Sequence, residues 1–241
     1  MNDDIYTVSA SAYDLFNAVF RPAQLDAIAR LVPLIRPDHG PVLDIGAGSG
    51  LNIETVLETL PTARVCALEP SHAMRSLAMM RIAAHPEWFE RVTLRPESFQ
   101  SARLPDTVGG AIALGVIGHF DRTERIDLLA GLAARLPPGG AALIDLQEPE
   151  TPQRVGPYEF TAAQIGELGY RCIVEGWPVD TELMRWTMTY RCLEEDRVLL
   201  EETAGYDYRH PSPGSLSAEA DTAGLALERL ADSTYWLLTR R

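Results

Sequence analysis

The chain of 241 residues is long enough for one large domain, and its 46% hydrophobic and 23% charged residues predict an ordinary globular core. Its formal net charge of −13 disfavours nucleic acid and anionic membranes as partners, because both carry negative charge themselves. Apart from histidine, every basic side chain is an arginine. The lack of lysine excludes Schiff-base chemistry and the pyridoxal-type enzymes that depend on it.

The sequence carries no signal for secretion, membrane insertion or metal binding. Its first residues are acidic, and no apolar signal-peptide core follows them. It has no apolar run of about 18 residues, so we expect no transmembrane helix and a cytoplasmic protein. Cys66, Cys172 and Cys192 lie far apart and form no C-x-x-C pair, so we expect neither a disulfide framework nor a metal site.

Helices and strands are predicted to alternate over the first 147 residues. Residues 7–36 have apolar side chains at helical spacing, and Arg21-Pro22 divides them into two helices, because proline cannot continue the first. A turn at residues 37–41 separates them from five short apolar strands. These strands are predicted at residues 41–45, 63–68, 91–95, 110–116 and 141–146, and the helices between them at 52–60, 71–84 and 123–136.

This alternation predicts the fold class. Strands that are apolar throughout and alternate with helices are typical of a parallel sheet covered by helices on both faces. Because crossover connections are right-handed, we predict an α/β fold with a Rossmann-like, doubly wound and mostly parallel sheet. Ligands bind such sheets at the carboxyl ends of the strands. The segments most typical of a binding site lie at those ends: Asp44 to Gly50, Glu69, Glu97 and residues 114–119.

The pattern changes after residue 147. Polar and apolar side chains alternate in three later segments, which predicts antiparallel strands with one exposed face at residues 171–177, 184–193 and 198–208. A helix at 215–223 and strands at 225–230 and 235–239 would complete a seven-stranded sheet. We expect an N-terminal helical lid (1–40), a Rossmann-like core (41–147), an inserted antiparallel cap (148–210) and a C-terminal helix and hairpin (211–241).

A glycine-rich loop follows the first predicted strand. Residues 42–50 read VLDIGAGSG, a G-x-G-x-G pattern one residue shorter than the dinucleotide fingerprint G-x-G-x-x-G. Asp44 would repel a pyrophosphate but suits a ligand with an ammonium group, and Glu69 can accept hydrogen bonds from both hydroxyls of a ribose. The combination predicts a nucleoside that carries an amino acid rather than NAD. A Rossmann-like domain with a vacant or different nucleotide site is the alternative.

The segment VLDIGAGSG, followed by ALEP at residues 67–70, resembles class I S-adenosylmethionine-dependent methyltransferases over most of the chain. The resemblance implies S-adenosyl-L-methionine as cofactor and S-adenosyl-L-homocysteine as product. It implies that Asp44 holds the cofactor's amino group through water, that Glu69 binds the ribose hydroxyls and that Glu97 with Ser98 reads the adenine amino group. The other implied cofactor residues are Gly46, Ala47, Gly48 and Gly50 at the methionine and ribose, Pro70 and Met74 at the adenine, Leu114, Gly115 and Val116 beneath the methionine, and Tyr6 in the lid.

The sequence says less about the methyl acceptor. The N/D-P-P-Y motif of DNA and protein-glutamine methyltransferases is absent at residues 114–120, which favours a small-molecule or peptide acceptor. His119 is a candidate catalytic base or orienting group, with a packing or capping histidine as an equal alternative. Tyr13 is the second catalytic candidate, because the family often closes this helix over the sulfonium.

Aromatic side chains are the candidate acceptor contacts. Their rings can hold a cationic amine, although packing is the commoner role of aromatic residues on strands. The predicted substrate-binding residues are His119, Trp186, Tyr190 and Tyr208.

Two short segments favour an amine acceptor. MRWTMTY at residues 184–190 resembles amino-sugar and amine N,N-dimethyltransferases of bacterial natural-product pathways. LGVIGHF at 114–120, with DLQ at 145–147, resembles methyltransferases that dimethylate a terminal amine of daptide-type ribosomal peptides. These resemblances imply N-methylation of a small natural product or modified peptide, and we expect a monomer or homodimer. An O-methyltransferase, a cofactor-binding protein without methyl transfer and a non-methylating reaction such as a cyclisation stay open.

Overall fold

The computed structural model of the protein describes residues 4–231 and 233–241. Their strands are β1 (Val42–Ile45), β2 (Val65–Leu68), β3 (Val92–Arg95), β4 (Gly110–Ala113), β5 (Ala141–Asp145), β6 (Val155–Ile165), β7 (Leu168–Pro178), β8 (Leu183–Glu194), β9 (Arg197–Arg209), β10 (Leu225–Arg229) and β11 (Tyr235–Arg240). Their α-helices are α1 (Tyr13–Asn17), α2 (Arg21–Leu31), α3 (Leu51–Thr59), α4 (His72–Ala83), α5 (Arg122–Arg135) and α6 (Pro213–Thr222). None of these helices has the length and apolar character needed to cross a membrane.

Seven strands form the main sheet, in the order β10-β11-β5-β4-β1-β2-β3. Strands β1 to β5 pair in parallel, and β11 runs antiparallel to both β5 and β10. This arrangement confirms the predicted α/β fold with a doubly wound, mostly parallel sheet. Strand β1 lies between β4 and β2, so the glycine loop after it begins at the middle of the sheet.

Helices cover both faces of this sheet. Apolar side chains of α2, α3 and α4 pack on one face, where they form a core with Val42 of β1. Side chains of α5 and α6 pack on the other face, around Leu43 and Ile45. Because side chains alternate along a strand, Asp44 points to the same face as Val42, towards α2 and α3.

The remaining four strands form a separate antiparallel sheet, in the order β6-β7-β8-β9. It lies between β5 and α6 in the chain, as expected of an inserted cap. Three of its strands were predicted, but β6 was missed. Gly156 with a φ of +65°, Pro157 and two register irregularities interrupt β6, so its side chains lack the strict alternation that identifies a strand.

Two element boundaries differ from the prediction. The first helical region is mostly 3-10 turns (Ala10–Ala12, Ala18–Phe20) around the short α1, and α2 begins at Arg21 with Pro22 in its first turn, where proline is tolerated. Strand β4 ends at Ala113 rather than at residue 116. There Gly115 adopts a φ of +70° and its N–H donates to Asp145 Oδ1 at 2.7 Å, which turns the chain out of the sheet.

A buried ion-pair network fastens the cap to the core. The Arg125 side chain on α5 is 0% exposed and donates to both carboxylate oxygens of Glu219 on α6, at 3.0 and 3.1 Å. It also donates to Glu182, in the turn between β7 and β8, at 3.1 Å. Because one guanidinium binds carboxylates from the core and from the cap, this network sets where the cap lies over the sheet edge.

Removing Arg125 should therefore destabilise the protein strongly. Arg125→Ala leaves Glu219 buried without its main partner, and we expect the free energy of unfolding to fall by about 3–5 kcal/mol. Arg122 is the matched control, because it lies 3.5 Å from the same glutamate but is 75% exposed. Arg122→Ala should cost less than about 1 kcal/mol in urea unfolding. Equal losses in the two variants would contradict the structural role of Arg125.

Candidate active site

The glycine loop combines close packing with open space. Gly46, Gly48 and Gly50 have φ angles of +68°, +57° and +88°. A Cβ at Gly46 would lie 2.3 Å from Cγ1 of Val116, and a Cβ at Gly50 would lie 3.2 Å from Cα of Ala78. At Gly48 nothing lies within 4 Å of such an atom. Gly46 and Gly50 therefore permit contacts within the protein, whereas Gly48 leaves its space to a ligand.

Glu69 follows β2 and lies against this loop. Its carboxylate accepts hydrogen bonds from the backbone N–H groups of Gly48 at 2.7 Å and Ser71 at 2.8 Å. Burial raises the pKa of Glu69, and these two hydrogen bonds oppose that rise. The carboxylate keeps further lone pairs, which can accept hydrogen bonds from ligand hydroxyls.

Asp44 is a buried carboxylate that the described residues leave without a hydrogen-bond partner at either oxygen. The residue is 1% exposed. Burial, and then the negative charge of Glu69, raises the pKa of Asp44 to about 7, although the nearby Asn52 side chain and the positive charge of Arg21 oppose the rise. Since an unpaired buried charge is costly, this position suits a cationic group supplied by a ligand, directly or through water.

A cavity of about 400 Å³, here called the cofactor cavity, lies at the carboxyl ends of the strands. Most residues predicted to bind the cofactor line it: Tyr6, Gly46, Gly48, Glu69, Pro70, Met74, Ser98, Leu114, Gly115 and Val116. The cavity is also lined by residues that were not predicted as cofactor contacts, namely Ile5, Ile45, Leu68, Phe99, Gln100, Phe120 and Glu124. For Phe99 and Gln100 a signal existed, because they directly follow Ser98 at the end of β3.

The other four predicted residues lie outside this lining. Asp44 and Ala47 are buried behind the loop, and Gly50 precedes α3 where it packs on α4. Glu97 pairs with Arg95 at 2.6 Å, so its carboxylate is already engaged at the outer edge of the sheet.

A smaller cavity of about 150 Å³, here called the acceptor cavity, adjoins the first. The two share Ile5, Tyr6, Tyr13, Gly115 and His119, so both catalytic candidates lie in the common wall. The rest of its lining is Ser9, Phe16, Asn17, Gln147, Phe160, Met188, Tyr190, Ala204, Tyr206 and Tyr208. The described part of the chain contributes no aspartate, glutamate or arginine to this lining.

His119 is buried among aromatic rings in that wall. Its Nε2 shares a hydrogen bond of 2.9 Å with the Tyr6 hydroxyl, which can donate when Nε2 is unprotonated. The Tyr208 ring packs edge-on against the imidazole at 5.1 Å between centroids. Burial lowers the pKa of His119 to about 4, so the ring is neutral at physiological pH. A neutral imidazole can orient an acceptor by hydrogen bonding, but it is a weak base.

The tyrosines around the acceptor cavity stay protonated. Burial raises the pKa of Tyr13 to about 12 and raises the pKa values of Tyr6, Tyr190 and Tyr206 further above their ordinary range. They offer aromatic faces and neutral hydroxyls rather than phenolates. Sequence analysis missed Tyr206, although it lies two residues before Tyr208 on β9 and alternation puts both on one face.

Trp186 lies outside the lining of the acceptor cavity, unlike Tyr190 and Tyr208. Its indole N–H donates to Nε2 of His210 at 3.2 Å, and its ring packs in a buried cluster with Met184 and Tyr208. Trp186 shares a sheet face with Tyr190, but it lies four residues nearer the start of β8. At that place on the strand its indole N–H binds His210 instead of facing the acceptor cavity.

The comparisons with known proteins agree with this architecture. A family described as "Methyltransferase domain" matches residues 16–229. The cypemycin N-terminal methyltransferase of Streptomyces sp. is 32% identical over 150 residues, which are 60% of this chain and 57% of the relative. The chain thus matches little more than half the length of this curated relative.

Solved structures show the same fold. The chain is similar to DesVI of Streptomyces venezuelae, with a TM-score of 0.78 and 18% identity over 97% of this chain and 98% of the other. It is also similar to SAM-bound CalS10, an amino pentose methyltransferase of Micromonospora echinaspora, with a TM-score of 0.72 and 18% identity over 94% and 97%. At this identity the likeness concerns the fold.

The buried neutral state of His119 predicts a pH dependence of stability. Its pKa of about 4 lies below the ordinary value of 6.5. Between these values the unfolded chain binds a proton that the folded protein excludes. The contribution of neutral His119 to the free energy of unfolding is therefore complete above about pH 6.5. It is lost as the pH falls towards 4, and the total loss is roughly 3 kcal/mol.

Comparison with His119→Gln isolates this effect. From about pH 6.5 to 4 the variant should lose less unfolding free energy than the unaltered protein in urea titrations, because glutamine does not titrate. Burial raises the pKa values of Asp44 and Asp145, whose contributions have the opposite pH dependence but are common to both proteins. Parallel pH profiles of the two proteins would show that His119 is not held neutral.

Proposed function

The chain belongs to the methyltransferase-domain family, and on that premise we propose that it methylates an amine nitrogen of a small natural product or modified peptide. It is an S-adenosylmethionine-dependent methyltransferase. The N-terminal methylation named for the cypemycin relative and the amino pentose named for CalS10 support an amine acceptor. The observation that carries the proposal is the aromatic, uncharged lining of the acceptor cavity beside the cofactor cavity.

The residues of the cofactor cavity fit S-adenosylmethionine. Asp44 lies behind the glycine loop, outside the lining of the cavity, and its unpartnered oxygens suit the cationic amino group of the methionine portion through water. Glu69 suits the ribose hydroxyls, and Gly48 leaves room beside it. When bound, the cofactor supplies a methyl group on a positively charged sulfur, which is already activated for in-line attack.

The acceptor cavity favours the neutral form of an amine. A cavity without charged side chains disfavours an ammonium group and so lowers the pKa of a bound amine. The neutral amine has the free lone pair that attack requires. His119 and the Tyr6 hydroxyl lie in the wall between the cavities and can orient it by hydrogen bonds.

The same walls stabilise the charge that methyl transfer creates. Methylation of a neutral amine would place a positive charge on its nitrogen, beside these walls. Aromatic faces attract a cation, so the rings of Tyr13, Tyr190 and Tyr206 stabilise the transition state more than the neutral amine. This differential binding is the proposed source of catalysis, together with the positioning of the two reactants.

The O-methyl alternative fits this cavity less well. A hydroxyl must lose its proton to attack, and this requires a stronger base than an imidazole with a pKa of about 4. The described lining offers no carboxylate for that task. An amine needs no such base once it is neutral.

Paired acceptors test the proposal. Purified protein and S-adenosylmethionine are incubated with amines, with the matched alcohols and with peptides that have free or acetylated N-termini, and products are analysed by mass spectrometry. We expect one or two methyl groups on amines and free N-termini, and none on the matched alcohols or acetylated peptides. Methylation of alcohols or carboxylates alone would overturn the amine assignment. Binding of S-adenosylhomocysteine without any transfer to amines would favour a cofactor-binding protein.

Substitution of Tyr206 tests the role of the aromatic walls. Tyr206→Leu should lower kcat/KM for an amine acceptor by about tenfold, which is the size expected of one cation–π contact. Tyr206→Phe is the matched control, because it keeps the ring and should retain activity within about twofold. Equal losses in both variants would assign the effect to the hydroxyl instead of the aromatic face.

A further inference from the structure

The N-terminal segment builds part of both cavities. Residues 4–17, here called the lid segment, contribute Ile5, Tyr6 and Tyr13 to the common wall. They also contribute Ser9, Phe16 and Asn17 to the acceptor cavity alone. The acceptor cavity therefore exists in this form only while the lid segment is in place, whereas the floor of the cofactor cavity is formed by the strand ends.

One carboxylate of the lid segment binds the glycine loop and α4. Asp14 accepts a hydrogen bond from the Ser49 hydroxyl at 2.5 Å and pairs with the Arg81 guanidinium at 2.7 Å. Arg81 also donates to the backbone carbonyl of Ser49 at 3.1 Å and pairs with Glu54 of α3 at 2.7 Å. Arg81 therefore joins the lid segment to the glycine loop and to both helices that flank the loop.

A second carboxylate of the lid segment binds beside Glu69. Asp4 accepts hydrogen bonds from the Ser71 hydroxyl at 2.8 Å and the Ala73 N–H at 3.1 Å, at the start of α4. Ser71 donates its own N–H to Glu69 at 2.8 Å. Each acidic attachment of the lid segment thus ends at an element proposed to hold the cofactor.

The lid segment meets the cap by a different kind of contact. Phe16 packs against Tyr190 with 5.6 Å between ring centroids, in an apolar cluster with Cys172 and Val174. Such contacts are less directional than hydrogen bonds. The Tyr6 hydroxyl is also hydrogen-bonded to His119 in the common wall, and the polar attachments of Asp4 and Asp14 hold the lid segment to the cofactor side.

We propose that Asp14 and Arg81 are positioning residues that couple the cofactor cavity to the acceptor cavity. The inference rests on the proposed function for the identity of the two ligands. A cofactor that orders the glycine loop fixes Ser49 and Arg81, and these hold Asp14 and the lid segment closed. The closed lid segment completes the acceptor cavity. Cofactor binding therefore raises the affinity for the acceptor, and by linkage a bound acceptor raises the affinity for the cofactor by the same factor.

Hydrogen exchange tests the coupling without any acceptor. S-adenosylhomocysteine should slow amide exchange of residues 4–17 by at least about fivefold in the unaltered protein. In Asp14→Asn this protection should shrink several-fold, because the amide removes the charge and one acceptor oxygen. Asp26→Asn on α2 is the matched control, since it makes the same change at an exposed site, and it should behave as the unaltered protein. If S-adenosylhomocysteine slows exchange of residues 4–17 equally in Asp14→Asn and in the unaltered protein, the proposal is overturned.

Kinetics give an independent readout. Asp14→Asn should raise KM for the acceptor by about fivefold or more, with kcat within about twofold, because the transfer geometry is normal once the lid segment has closed. A lower kcat with unchanged KM would contradict a positioning role. If no amine is methylated but S-adenosylhomocysteine still protects the lid segment through Asp14, the amine assignment fails and the coupling stands.

Discussion

A carboxylate buried without a partner is the constraint on which the rest of the site depends. Asp44 lies on the central strand β1 and is 1% exposed, and neither of its oxygens has a hydrogen-bond partner among the described residues. A buried charge of this kind is costly unless something balances it. The loop after Asp44 leaves space at Gly48, next to Glu69. The positive charge of Arg21 offsets the cost only in part, and under the proposed function the amino group of the cofactor supplies the remaining cation.

The two cavities differ in their electrostatic character. The cofactor side has carboxylates at Asp44 and Glu69, which suit the amino group and the ribose hydroxyls of the cofactor. On the acceptor side, the described lining is rich in aromatic side chains and uncharged, which under the proposed function favours a neutral amine and places aromatic faces beside the product cation. The wall between them comes partly from the lid segment, which Asp4 and Asp14 attach to the cofactor side.

Local patterns in the sequence predicted the sheet and the glycine loop, because apolar strands, glycines and strand-end acids lie close together in the chain. Features that depend on contacts between residues far apart in the chain could not be predicted. Nothing in the sequence indicates the ion pair between Asp14 and Arg81. Strand β6 was not predicted, because Gly156 and the register irregularities break its alternation. Trp186 was predicted as an acceptor contact together with Tyr190, but the sequence carries no information on which part of β8 reaches the cavity.

The central proposal, that Asp44 balances the cationic amino group of the cofactor through water, is tested most directly by calorimetry of S-adenosylhomocysteine binding in buffers of different ionisation enthalpy. Because the pKa of Asp44 is about 7 and a nearby cation must lower it, binding should release close to one proton at about pH 6 and about half a proton at pH 7. Asp44→Asn should bind more weakly and lose that release. Equal proton release by the two proteins, or none by either, would contradict the account.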